Sequence, residues 1–353
     1  MSRESDLTLN TLTLIGFTEQ RGHAWHYRQS LQGAEPNHYP GAVPVGDVAR
    51  RLFDWQAESR RVAVELPADV ETATHLDDEG RPVRWVAQGD RQAITRSDTG
   101  AVLGLFHDGY RAHQYQEWLL NTVSSILGDT LHIGSACLLA GGGRAWVSVE
   151  VPESIKTPEG VTFRPNLLAA TSFDGSLATT YKRVVTNVVC DNTMAVALAE
   201  DGQQVKVRHS RHSEVRITEA RDALALVHDT ADEFAAQVAQ LCRTKVSTRQ
   251  WDAFVDAAAP TARNGQPITG RALTNATAKR QQLRDLYARD ERVAPWAGTG
   301  WGVLQAANTW SHHVQNVRGS DRADRNTNRA IMGDTENADR ATLALLERVL
   351  TTA

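Results

Sequence analysis

Cysteine is scarce in this chain: three in 353 residues, Cys137, Cys190 and Cys242, about fifty residues apart. That spacing fits neither a disulfide framework nor a paired metal-ligand motif. All three read as reduced core residues, the usual place of a free thiol. No apolar run approaches the ~18 to 20 residues that cross a bilayer, and the opening MSRESDLTLN lacks the basic-then-apolar pattern of a secretory leader. The expected location is cytoplasmic, with no membrane partner. Catalytic signatures are missing too: the chain has no Gly-x-Ser-x-Gly elbow, no Walker loop and no dinucleotide fingerprint.

Twelve histidines are present, but only His209 with His212 and His312 with His313 stand close together. Adjacent helical residues point about 100° apart, so the second pair is poorly placed to share one ion. A nucleophilic Cys190 would want a histidine nearby, and His107-Asp108 reads as a turn before it reads as an acid/base pair. No catalytic residue, metal-ligand set or cofactor is nominated.

Hydrophobic residues make up 41% and charged residues 23%, an ordinary balance for a folded chain. The net charge of −4 is unevenly spread. Residues 1–202 carry 17 basic and 25 acidic side chains, net −8, whereas 203–353 carry 21 and 17, net +4. A polyanion would therefore meet the second part first.

The spacing of Val48, Leu52 and Trp55 predicts a helix over 45–56, with Asp47 helping its first turn. VAVEL (62–66) and VRWVA (83–87) read as strands on either side of an acidic loop, 76–80, and AVLGLF (101–106) as another, closed by the Asp108-Gly109 turn. Tyr115, Trp118, Leu119, Val123, Ile126 and Leu127 then mark one helical face that stops at Gly128. IGSACLLA and RAWVSVEV alternate with period two around Gly141-Gly142-Gly143 and predict a β-hairpin. The triple glycine could cradle phosphate, but such loops normally open a helix, and a strand follows here.

Two more strands, 161–173 and 177–189, are joined by Asp174-Gly175. Pro165 suggests an edge or a bulge. Beyond them Asp191, Asn192 and Thr193 are competent caps, and Met194, Val196, Ala197 and Leu198 predict a helix starting there.

From 214 onward the pattern is helical. Ala220, Leu224, Val227, Ala231, Phe234, Val238 and Leu241 form a heptad seam of about three repeats, which suits either local packing or a subunit contact. Helices are expected at 247–258, 271–291, 301–316 and 337–350, with a polar loop at 261–270 and an arginine-rich segment at 318–329. The fold class is α+β. An antiparallel sheet of hairpins, with helices packed on one face, occupies 1–202, and a mainly helical region, 203–353, is available for self-association.

The order of these features resembles a known family. LGLFHDGY with the following Gln116-Glu117, GGGRAWVSVEV, SFDGS, RVVTNVVCDNTM (183–194) and GTGWGVLQAAN (298–308) are similar to the domain-of-unknown-function family 932, phage/plasmid-like proteins of actinobacteria and their phages. The resemblance spans about residues 40–320. A weaker, topological resemblance is to phage single-strand annealing proteins, and it implies rings or filaments that hold single-stranded DNA on a basic surface and pair strands without ATP.

The leading expectation is thus a phage-type DNA-binding protein, with single-stranded DNA and further copies of the chain as candidate partners. Lys182, Arg183, Lys206, Arg208, Lys279, Arg280, Arg284, Arg322 and Arg325 are the candidate phosphate contacts. Trp146, Trp296, Trp301 and Trp310 are candidate stacking surfaces. The competing reading makes the arginines solvated helix faces and the tryptophans core. The alternative function is a phage structural or host-interaction protein that binds another protein through its helical region without catalysis.

Overall fold

The computed structural model describes residues 7, 10–22, 27–65, 79–80, 85–128, 131–151, 154–187, 192–195, 204–210, 229–316, 325–326, 329 and 334–352. A short strand, β1 (Thr13–Ile15), precedes helix α1 (Val45–Leu52), which buries Val48 and Leu52 as their four-residue spacing demands. Next comes a three-stranded antiparallel sheet of β2 (Ala57–Glu65), β3 (Trp85–Arg96) and β4 (Val102–His107), in that order. Most of the acidic loop expected at 76–80 lies outside the described residues. Helix α2 winds as a π-helix over Gln116–Asn121 and as an α-helix over Thr122–Ser124, burying Trp118, Leu119 and Val123.

The alternating segments form the expected hairpins of one large antiparallel sheet. Its strands are β5 (His132–Leu139), β6 (Arg144–Glu150), β7 (Ile155–Lys156), β8 (Thr162–Ser172), β9 (Thr179–Asn187), β10 (Asn192–Ala195) and β11 (Gln204–Val207). The order is β1-β5-β6-β8-β9-β10. β11 shares the β9 edge with β10, and β7 pairs with β8 past the end of β6. Pro165 sits between the last β6 pair, Glu150 with Asn166, and the first β7 pair, Ile155 with Phe163, so a strand inside the sheet is locally an edge where a proline is tolerated.

One expectation fails here. Asn192, Thr193 and Met194 do not begin a helix; they pair back onto Asn187, Thr186 and Val185 as a strand. Asn and Asp favour tight turns as strongly as helix caps, and the β-branched run before them offered a ready edge. Cys190 lies outside the described residues.

Strand alternation gives the large sheet two unlike faces. Val147, Val149, Leu167, Ala169 and Tyr181 join residues of α1 and α2 in the main core. Cys137, Leu139, Leu168, Ala170 and Val184 form a second cluster on the opposite face. The same parity puts Ser148, Glu150, Arg164, Asn166 and Lys182 on that second face, all buried.

The C-terminal part holds α3 (Asp229–Arg243), α4 (Thr248–Ala258), a two-residue-strand hairpin of β12 (Ala262–Arg263) and β13 (Gln266–Pro267), α5 (Gly270–Arg289), α6 (Gly300–Thr309) and α7 (Asp334–Thr352). A π-helical turn, Trp310–Val314, continues α6. Val246, Trp251, Phe254, Val255, Leu283, Val303, Leu346 and Val349 make the helical core. The seam residues Phe234, Val238 and Leu241 of α3 pack with Val161, Phe163, Trp301 and Leu304. That half of the seam is therefore spent inside the chain; the half at 220–227 lies outside the described residues. Phe163 meets Phe234 edge-on with centroids 4.7 Å apart, which ties the sheet to the helices. Among the described residues no helix is long and apolar enough to cross a membrane.

Candidate nucleic-acid interface

Helices α4 and α5 carry the densest positive charge in the chain. Between Arg243 and Arg289 there are nine Lys and Arg against three Asp, a net +6 in a chain of net −4. From residue 257 to 284 there is no carboxylate at all. Ser247 starts α4 by capping it: its hydroxyl accepts from the Gln250 N–H, and the Gln250 side chain accepts from the Ser247 N–H. The helix then presents Asp252 and Asp256 to α5. Arg280 meets Asp256 at 2.9 Å and donates from Nε to the Ala259 carbonyl at 2.7 Å, while Arg284 meets Asp252 at 3.0 Å.

Lys279 takes another route. Its Nζ lies 4.3 Å from the Trp310 ring centroid, over the ring face. Burial there lowers its pKa. Trp310 is held in turn by a 2.9 Å hydrogen bond from Nε1 to Gln282 Oε1. Arg325 donates to the Ser311 carbonyl at 3.2 Å and to the Gln315 side chain, and Arg329 donates to Ser311 Oγ at 2.6 Å. His312 is buried in this turn. Burial first, then the positive Arg329, His313 and Arg325, push its pKa down to about 3, a sign of positive potential at this end of the helices.

Between α4 and α5 lies a cleft of about 370 Å³, lined by Ser247, Trp251, Asp252, Arg284, Tyr287 and Gly298 among others. Trp251 and Tyr287 stack with centroids 3.9 Å apart, and the Tyr287 hydroxyl accepts from the Gly298 N–H at 2.6 Å. Arg243, Lys245 and Arg249 are exposed nearby in sequence, as are Arg263, Arg271 and Arg289. None of these six forms an ion pair among the described residues.

The structure thus brings Lys279 and Arg325 to the Trp310–Ser311 turn and sets Arg280 and Arg284 against α4. The other candidates lie elsewhere. Lys182 is only 4% exposed, on the second face of the large sheet. Arg183 lies 3.8 Å from Glu233 on α3. Lys206 and Arg208 are exposed on and just after β11, and Arg322 lies outside the described residues. Trp301 is a core residue at 1% exposure, Trp296 donates from Nε1 to the Glu159 carbonyl at 3.2 Å, and Trp146 is half-buried. The six exposed cations that the motif reading passed over had one signal in the sequence, a local charge count in place of a whole-region one. Among the described residues no three His, Cys, Asp or Glu side chains are placed to hold a metal ion.

The family described as Domain of unknown function (DUF932) matches residues 102–332, a span that contains this whole surface. It leaves out α7 and the β2–β3 hairpin. No curated protein and no solved structure matches the chain.

Proposed function

The chain belongs to the DUF932 family, and we propose from its surface that it binds single-stranded DNA through the α4–α5 face, capturing the phosphate backbone without ATP. The observation that carries this reading is the net +6 between Arg243 and Arg289 on an otherwise acidic chain. Six exposed cations there stand without a carboxylate partner, so each is available to replace a counterion along a phosphate chain. Arg280 and Arg284 are held by surface carboxylates, and exposed pairs of that kind contribute only ~0 to 1 kcal/mol. A phosphate can displace such a partner at small cost. The cleft beside Arg284 is large enough for one base against the Trp251–Tyr287 pair. In the phage or plasmid setting that the family resemblance implies, the same surface on several associated copies would neutralise two strands and let them pair, which is the annealing form of the activity.

Fluorescence anisotropy with a labelled oligo-dT strand across a salt series tests this. Affinity should fall steeply with salt, and the variants Arg249→Glu, Arg271→Glu and Arg289→Glu should each flatten that slope while leaving the fold intact. Micromolar or weaker binding that ignores salt would sink the reading. Light scattering tests the association of copies; a strict monomer with DNA present removes the annealing form.

A second reading, a protein-binding module without catalysis, has one observation in its favour. Val64, Trp85, Val102 and Leu105 on the three-stranded sheet are 53%, 55%, 63% and 63% exposed, more apolar surface than a small sheet normally leaves in water. The notebook of contacts places that surface outside the helical region, so any such partner would dock on the sheet.

A further inference from the structure

Residues 261–278 form an arm with little of the protein behind it. Asn264 and Gly265 take φ of 51° and 76°, the two left-handed positions of a tight hairpin turn. β12 and β13 close on them, and the Ile268 N–H donates to the Thr261 carbonyl at 2.9 Å. Helix α5 then starts at Gly270, but its two buried side chains, Leu283 and Leu286, both belong to its second half. From Gly270 to Ala278 every residue except Ala276 is exposed. Neither a two-stranded hairpin nor a half-helix of nine residues is stable by itself in water. No carboxylate occurs between 257 and 284 to support the helix with ion pairs along its face.

The arm's chemistry limits what can cover it. Pairing α5 with the same helix of a second copy would set Arg263, Arg271 and Lys279 against their like with no acid between, which is repulsive. A nucleic acid supplies the missing negative charge. The exposed half-helix is also thin, with Gly270, Ala272, Ala276 and Ala278 along it, and an α-helix of ordinary width already fits the major groove of a duplex. Its nine residues rise about 13 Å. Arg271, Thr274, Asn275 and Ala278 follow spacings of three, four and seven and so share one face. It is turned away from the inward line of Ala276, Arg280 and Leu283, which are half-buried or buried. Arginine pairs with guanine edges, asparagine with adenine edges, and small apolar groups with the thymine methyl.

We propose that the first half of α5 is a duplex-reading element: it enters the major groove with Arg271 and Asn275 toward base edges, while Arg263 on the hairpin holds a neighbouring phosphate. This contact presupposes the nucleic-acid reading above and extends it from the single strand to the paired product. The test uses the full chain with a labelled single strand, the matching duplex and a randomised duplex pool. Wild type should bind the duplex and enrich a preferred sequence. The double variant Arg271→Ala, Asn275→Ala should lose about tenfold or more in duplex affinity, as expected for one lost base contact of each kind. It should keep single-strand affinity within about twofold and an unchanged Tm, because both side chains are exposed. Amide hydrogen exchange at 270–278, fast in the free protein, should slow on adding duplex. Duplex binding that survives the double variant, or protection of these amides that rises with protein concentration alone, overturns the assignment, the latter in favour of a second copy. If neither single strand nor duplex binds, the nucleic-acid reading itself falls with it.

Discussion

The imidazole rings of His113 and His209 lie face to face, their centroids 4.0 Å apart and their planes 14° from parallel. Trp118 stacks on the far side of His113 at 3.7 Å, Tyr110 on the far side of His209 at 5.0 Å, and Phe106 on Tyr110 at 3.8 Å. Five rings thus form one column against the large sheet. A hydrogen-bond chain runs beside it: His113 Nδ1 to Thr179 Oγ1 at 2.6 Å, Thr179 to Thr171 at 2.8 Å, and Thr171 Oγ1 to His209 Nε2 at 3.0 Å. With both rings neutral, the two hydroxyl protons and one imidazole proton satisfy all three bonds in a single direction. A proton at both chain-facing nitrogens would set two donors against one hydroxyl too few.

Acid should therefore loosen the protein earlier than its carboxylates alone would dictate. Burial, and secondarily the neighbouring His209, hold His113 down to about 3, and burial holds His209 down to about 4, against an ordinary 6.5. Between about pH 6.5 and 4 the unfolded chain takes up protons that the folded chain refuses, so this contribution is complete above 6.5 and drains as the pH falls. Buried His312 acts in the same window. Asp47, Asp98, Asp174 and Asp290, whose pKa values are also lowered, begin to cost stability only near pH 4 and below. The Tm should be flat from pH 8 to 7 and fall clearly by pH 5, and the ring resonances of His113 and His209 should keep their neutral positions at pH 5.5. A titration midpoint near 6.5 for either ring would contradict this.

Glu150 offers a second test, on the buried polar face of the sheet. Its carboxylate meets Arg21 and lies 3.8 Å from Arg164, and all three side chains are largely shielded from water. Removing the shared acid leaves two guanidinium groups without it in a low-dielectric site. Glu150→Ala should cost about 3 to 5 kcal/mol by urea unfolding, the range for one partner lost from a buried pair. A loss under about 1 kcal/mol would mean that water reaches this face.

The GTGWG stretch is a packing device, and its glycines rank themselves. Gly298 turns with φ of 82°, the Thr299 hydroxyl caps α6 by accepting from the Gly302 N–H at 3.1 Å, and a Cβ on Gly302 would land on the Trp296 carbonyl. Because the obstacle is backbone, it cannot swing aside. Gly302→Ala should destabilise by about 1 to 3 kcal/mol, the usual cost of overpacking. Gly46→Ala in α1, where nothing lies within 4 Å, should be neutral or slightly stabilising. Equal effects of the two substitutions in thermal unfolding would refute the close approach.

Much of this architecture was legible where a pattern is local. The alternation of Val147, Val149 and Val151, the four-residue spacing of Val48 and Leu52, and Ser247 ahead of α4 each need only their neighbours in sequence to be read. The 192–195 strand was not legible, because the choice between cap and turn at Asn192 is made by its pairing with Asn187 across the sheet. The candidate surface was half legible for the same reason. Lys279, Arg280 and Arg284 stand out on one helix, but that two of them meet Asp252 and Asp256 on α4 is decided by how the helices pack. Lys182 shows the converse: a cation on a strand looks available until the parity of β9 turns it inward.

Those two aspartates supply the last prediction. Asp252 and Asp256 are about half exposed, at 51% and 55%, and each holds an arginine that the proposed DNA strand would use. In the bound state they compete with phosphate for the same guanidinium groups, so they act as built-in brakes on affinity. Asp252→Asn with Asp256→Asn should therefore raise affinity for single-stranded DNA several-fold at low salt. It should also steepen the dependence of log K on log salt by about 0.7 for each arginine released to a phosphate. The stability cost should stay within about 1 kcal/mol for each pair, as for other exposed ion pairs. Unchanged or weaker binding by a normally folded double variant would show that Arg280 and Arg284 serve only to clamp α5 onto α4, and that the strand, if it binds, follows the exposed cations alone.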